Sequence, residues 1–369
     1  MRRQVFQRSK LTGLAVAVSL LVVGCTAPAQ VAEPPAVEIP AVSEPETTEA
    51  DEVAEYDTEA DEPEYEEYEP EAEEPIVLLQ PLTGVVVDHL EDRPIIGVKI
   101  ENTGPARPQI GLEFADQVWE IVVEGGITRF IALYQSNYPT AVGPVRSART
   151  SDIGVMTPLS AVLAFSGGYG PAIARIQQYG IQTMAEGRNS GFRRTPDRRA
   201  PHNVIGNVEA FAEQARYDRS LQYPQGLWST GIEDSSAYQT GTDVSRISVR
   251  VSPGQTTNWD WDAASGTFLR SDGQRASVSN TGVRHAATNV MVAVMAQGTF
   301  AGVPETQMLG SGPALIATGG RAIEGTWEKE TMYRPLRFFD TEGHEVKLAP
   351  GQTWYMLSTA NSNNWTLTP

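Results

Sequence analysis

Residues 119–152 read WEIVVEGGITRFIALYQSNYPTAVGPVRSARTSD. Two apolar runs, 121–123 and 130–134, flank the polar knot Glu124-Gly125-Gly126-Ile127-Thr128-Arg129. Short runs rich in Val, Ile and Phe around a Gly-Gly pair predict two antiparallel strands joined by a tight turn. A second turn at Tyr138-Pro139 leads into Gly143-Pro144-Val145-Arg146-Ser147-Ala148-Arg149. The hairpin thus holds one carboxylate, Glu124, and three guanidiniums, Arg129, Arg146 and Arg149, close to a sheet end. Guanidinium forks match carboxylate and phosphate bidentately, so this is a candidate anion-binding site. The same side chains would also make an internal ion-pair network that merely pins the hairpin. By the two-residue repeat of a strand, Glu120 shares a face with Glu124, and a carboxylate pair there could divide into acid and base.

Outward from the hairpin, residues 94–100 (PIIGVKI) predict a buried strand, 111–119 a short helix and 160–165 another strand. Ser166-Gly167-Gly168-Tyr169-Gly170-Pro171 turns that strand into a helix over 172–179, with Pro near its first position. Gly167 and Gly168, ahead of a helix, have the form of an anion nest, although the Lys-Ser/Thr of a phosphate-binding loop is missing. Residues 192–203 form an irregular basic loop ending in His202-Asn203, and 208–215 a short helix. From about residue 220, β-rich segments at 246–251, 267–270, 289–295, 336–339 and 353–358 alternate with Gly, Asp, Asn and Pro turns, as in an antiparallel sheet. The fold expected is an α/β (α+β) portion over 76–220 followed by a mostly antiparallel β portion over 221–369.

Charge divides by region. Residues 26–75 hold 19 Asp or Glu and no Lys or Arg, so most of the net charge of −18 sits there. The segment is too polar to offset its ordering entropy and is expected to be a disordered acidic tether. The body is close to neutral, which argues against nucleic acid as a partner. Arg2, Arg3, Arg8 and Lys10 precede the apolar run 11–23, which ends in Val22-Val23-Gly24-Cys25. That order describes a secretory signal over 1–25. Its Gly-Cys ending resembles the bacterial lipobox, which implies lipidation at Cys25 and a body on the outer face of the cytoplasmic membrane. Cys25 is the single cysteine, so the body has no thiol for a disulfide, catalysis or a metal. Four histidines without HExxH spacing argue against a zinc enzyme, and no cofactor is expected.

Arg107-Pro108-Gln109, the Glu124–Arg129 knot, the 143–149 segment and Pro201-His202-Asn203 occur in order. They are followed by Gly325-Thr326-Trp327, Gly343 and Pro350-Gly351-Gln352-Thr353-Trp354. Together these resemble the YerB-like bacterial lipoproteins, a family of unknown function, over about residues 80–360. The resemblance implies a lipid-anchored envelope protein with an N-terminal and a C-terminal portion, and no established reaction. One departure is Tyr169, where the family pattern has a small hydroxyl residue after the two glycines.

Three functions remain in play. The first is binding of an anionic cell-wall component or envelope partner through Glu124, Arg129, Arg146, Arg149, Gly167, Gly168, His202 and Asn203. The second is a hydrolase of envelope glycan or phosphodiester with Glu124 and His202 as acid or base. The third is a non-catalytic envelope scaffold. Trp259, Trp261, Trp327 and Trp354 are candidates either for sugar stacking or for the core.

Overall fold

The computed structural model describes residues 77–216, 227–359 and 364–369. Cys25, the acidic segment 26–75 and the boundary near residue 220 lie outside the described residues. In the decisive stretch, strands Gln117–Val122 and Thr128–Tyr134 pair antiparallel, with Val122 opposite Thr128. Gly125 and Gly126 both sit at φ +69°, a backbone region that a Cβ disfavours, so two glycines close this connection. Every residue of both strands is buried. Alternation therefore serves two cores at once: Val118, Val122, Phe130 and Ala132 face one, while Trp119, Ile121, Ile131 and Leu133 face the other.

This hairpin lies inside a sheet of eleven described strands. Beyond Thr128–Tyr134 come Ile96–Glu101, Val162–Phe165 and Thr183–Ala185. Beyond Gln117–Val122 come Thr353–Ser358, Asn289–Val294, Gly310–Thr318 and Arg321–Lys329. The Thr353–Ser358 strand is parallel to both its neighbours, so residues from the two ends of the body share one set of ladders. Five strands from Thr183–Ala185 to Asn289–Val294, with Gln117–Val122 as the sixth, point the same way, and Thr128–Tyr134 alone is reversed among them. Their carboxyl ends form one edge, the usual place for a ligand on an open sheet.

A second, six-stranded sheet is antiparallel throughout and packs Ile247, Val249, Trp259 and Phe268 onto the Val118–Phe130 core. Helices are short, and the described body is mostly β. The helix expected over 111–119 is a single 3-10 turn, Leu112–Phe114, followed by strand. Val118, Trp119, Ile121 and Val122 are β-branched or aromatic, apart from the helical spacing they imitate, and they are needed on both faces of the sheet. The other two helices form as expected, at Gly170–Gln178 and Val208–Gln214. Asn207 caps the latter by accepting the Ala210 amide. Among the described residues no helix is long and apolar enough to cross a membrane.

Trp259, Trp327 and Trp354 are core residues, Trp259 and Trp354 meeting edge-on at 5.3 Å. Trp261 packs half-buried against Phe268. In the closing motif, a Cβ on Gly325 would stand 2.0 Å from the Phe339 carbonyl oxygen, which only glycine permits. Gln352 donates to the Leu112 and Ala115 carbonyls and accepts from the Trp354 indole, tying this motif to the start of the hairpin.

Candidate functional site

The two faces of the hairpin carry two different ionic networks. On the face toward the second sheet, Glu120 accepts from Thr128 Oγ1 at 2.7 Å and from Arg270 Nη2 at 3.1 Å. Arg270 also donates to Asp272 at 2.9 Å and to Ser277 at 3.1 Å, and is wholly buried. Arg107 of the Arg-Pro-Gln motif joins through Asp272 at 3.0 Å and Asn102 at 2.9 Å. Glu120 is therefore not paired with Glu124 for acid–base work. The strand repeat fails there because Glu124 has already left the strand for the turn.

His285 belongs to this seam. Its Nδ1 lies 2.9 Å from Ser277 Oγ, and Nε2 has no partner among the described residues. Burial, aided by the Arg270 charge, pushes its pKa from 6.5 down to about 3. Below pH 6.5 the unfolded chain takes up a proton that the native state refuses, so stability is complete above 6.5 and falls as pH drops toward 3. Urea unfolding at pH 7 and pH 4.5 should show the parent losing on the order of 2–3 kcal/mol more than His285→Gln. Equal losses in the two proteins would contradict a neutral buried imidazole.

On the opposite face and at the carboxyl edge lies the arginine set. Arg149 and Glu124 form a two-pronged pair, Nε to Oε1 at 2.7 Å and Nη2 to Oε2 at 2.8 Å. Partial burial pushes the Glu124 carboxyl up, but the Arg149 hydrogen bond, a backbone hydrogen bond and the Arg149 and Arg129 charges together outweigh it and leave the group below its ordinary range. With both oxygens engaged and the charge held, Glu124 is suited to positioning Arg149 rather than to giving a proton. Arg149 is anchored again by Asp152, whose Oδ2 accepts the Arg149 amide at 2.8 Å while Oδ1 meets buried Lys99 Nζ at 2.5 Å.

Arg146 Nε stands 3.1 Å from Glu101 Oε2, an ion pair without hydrogen-bond alignment. The same oxygen takes His202 Nδ1 at 2.9 Å, and Thr103 Oγ1 donates to Glu101 Oε1 at 2.6 Å. The loop carrying His202 is more regular than expected: Phe192–Arg194 and Val204–Gly206 pair as a hairpin. Val145 donates to the Val204 carbonyl, so this hairpin is fastened to the Arg146 segment. Asn203 does not reach the arginines. Its Oδ1 accepts from Arg194 at 2.8 Å, Arg194 meets Glu186 at 2.9 Å, and Glu186 accepts from Ser166 at 2.5 Å. Gly167 and Gly168 lie beside that serine, exposed, with φ at +77° and +157°. The Gly167 carbonyl accepts the Ala148 amide, which seats the turn against the Arg146–Arg149 segment. Tyr169 is exposed next to them, at the start of the Gly170–Gln178 helix.

Arg129 is the exception to this pairing. It is 7% exposed, yet its guanidinium makes one hydrogen bond, Nη1 to the Ser147 carbonyl at 2.9 Å. Nε is buried without a partner, and no carboxylate among the described residues comes within ion-pair distance. Burial first, then the neighbouring Arg149 charge, lower its pKa to about 10. The cluster therefore contains a buried, under-partnered cation. Glu101 and Asp152 are site residues that sequence reasoning missed. Lys99 and Glu101, two apart inside the run IGVKIE, were the available signal, because charges two residues apart in a buried strand share a face.

Comparison with known proteins agrees with this architecture. Residues 82–221 match the N-terminal domain, and residues 247–355 the C-terminal domain, of "Protein of unknown function (DUF3048)". A Bacillus subtilis (strain 168) protein named "Putative lipoprotein YerB" is 28% identical over 290 residues, covering 75% of this chain and 85% of that protein. The crystal structure of the YerB protein from Bacillus subtilis superposes with a TM-score of 0.68 at 24% identity, over 79% of this chain and 100% of that one, and so shares the fold. The chain belongs to the YerB-like family of proteins of unknown function.

Proposed function

We propose that this is a lipid-anchored extracytoplasmic protein that binds an anionic component of the cell envelope at the rim formed by Arg129, Arg146, Arg149 and the Gly167-Gly168 turn. The observation that carries the reading is Arg129. A buried guanidinium is costly unless fully paired, and this one has a single carbonyl partner while facing two more arginines. A phosphate or carboxylate supplies the missing charge and acceptors. The anchor is supported by the Gly24-Cys25 ending of the apolar run and by the relative's name, and the acidic segment 26–75 then serves as the spacer from the membrane.

Binding of inorganic phosphate and of purified wall polymer, measured by titration calorimetry on the parent and Arg129→Met, tests the reading. Loss of charge-assisted hydrogen bonds should weaken binding about 10–100-fold. The thermal midpoint should hold or rise, because a poorly paired buried cation is gone. A structural arginine gives the reverse: unchanged binding and a lower midpoint.

A further inference from the structure

We infer that the Glu101–His202 pair is a general-base dyad that hydrolyses a phosphoester held at the arginine rim; this rests on the anion-binding reading above. Glu101 is almost completely buried at the end of the Ile96–Glu101 strand, and its Oε2 fixes His202 Nδ1 at 2.9 Å. A carboxylate on Nδ1 sets the imidazole tautomer and leaves Nε2 as the base, the logic of hydrolytic triads. Among the described residues Nε2 has no hydrogen bond, and the side chain is 24% exposed. The orienting group is held in turn by Thr103 Oγ1 at 2.6 Å.

Proximity to the rim follows from a shared atom. His202 Nδ1 and Arg146 Nε both approach Glu101 Oε2, at 2.9 and 3.1 Å, so the base and the Arg146 fork are neighbours. An anion on the outer nitrogens of Arg146 and on Arg129 therefore lies beside the imidazole. A phosphoester suits the set better than a glycosidic bond, because Glu124, the alternative acid, is clamped and kept ionised by Arg149. In the reaction, His202 Nε2 takes a proton from water and the water oxygen bonds to phosphorus. The P–O bond to the leaving group breaks, and the departing oxygen takes the proton back from the imidazolium. Arg129 and Arg146 offset the charge gathering on the phosphoryl oxygens. His202 is the catalytic residue and Glu101 its positioning residue.

The full-length protein in detergent, with bis(p-nitrophenyl) phosphate and p-nitrophenyl phosphate as probes, gives separate readouts of binding and turnover. Nitrophenolate release is expected, with kcat reduced about 10²–10⁴-fold in His202→Gly and KM little changed. Added imidazole should restore part of the His202→Gly rate, which a merely structural histidine would not allow. Glu101→Gln should lower kcat with KM held, while Arg129→Met should raise KM. If the probes bind in an Arg129-dependent way but release no more nitrophenolate than with His202→Gly, the dyad is overturned and anion binding stands. If they do not bind at all, both readings fail.

Discussion

Replacing Arg270 with methionine is expected to cost about 3–5 kcal/mol of folding free energy, because fully buried Glu120 loses its cation and Asp272 is left with Arg107 alone. Arg270 has no exposed surface and joins Glu120, on the hairpin, to Asp272, on the second sheet. Its guanidinium also lies 5.2 Å from the ring centroids of both Phe130 and Trp354. Burial pushes its pKa down, but Glu120 and Asp272 more than reverse that and leave it above its ordinary value. Methionine keeps much of the volume, so the loss should come mainly from unpaired charge. The double variant Glu120→Gln/Arg270→Met should then recover part of the stability in urea unfolding at pH 7, Asp272 retaining Arg107. A single variant within about 1 kcal/mol of the parent would mean that apolar contact, not this network, joins the sheets.

The second large effect is expected on the other face. Lys99 and Asp152 are both completely buried and 2.5 Å apart. Asp152→Ala leaves the buried Lys99 amine without its counter-charge and releases the Arg149 amide, a loss of about 3–5 kcal/mol. Burial already pulls the Lys99 pKa below 10.5, with Asp152 opposing it. Without Asp152 the native lysine is neutral where the unfolded one is charged, so the variant's stability should climb as pH rises toward 10.5. A companion Lys99→Met change should remove most of that pH dependence. Parent-like stability for Asp152→Ala across this range would refute the buried pair.

How much of this was legible in the sequence depended on distance along the chain. The central hairpin, the Val162–Phe165 strand and the two short helices could be read because local pattern and turn chemistry decide them. The parallel insertion of Thr353–Ser358 beside Gln117–Val122 could not, since its apolar run is equally compatible with any neighbour. Gln255–Asp262 was also hidden, because Gln-Thr-Thr-Asn reads as loop although Thr257 and Asn258 are buried in a strand held between Arg246–Ser252 and Thr267–Asp272. At the site, the sequence named the three arginines and Glu124, but not Glu101 or Asp152. Glu101 and Asp152 sit near the ends of buried segments, and only folding brings Glu101 to Arg146 and His202. Glu120 was misplaced for the opposite reason: the strand repeat was carried one turn too far.

The most direct test is an NMR titration of the arginine side-chain Nε–Hε groups with inorganic phosphate, each assigned by single Arg→Lys variants. The Arg129 resonance should move first and saturate, with Arg146 and Arg149 following and the buried Arg270 resonance unmoved. A small, unsaturated drift shared equally among exposed arginines, with Arg129 still, would contradict an anion site at this rim.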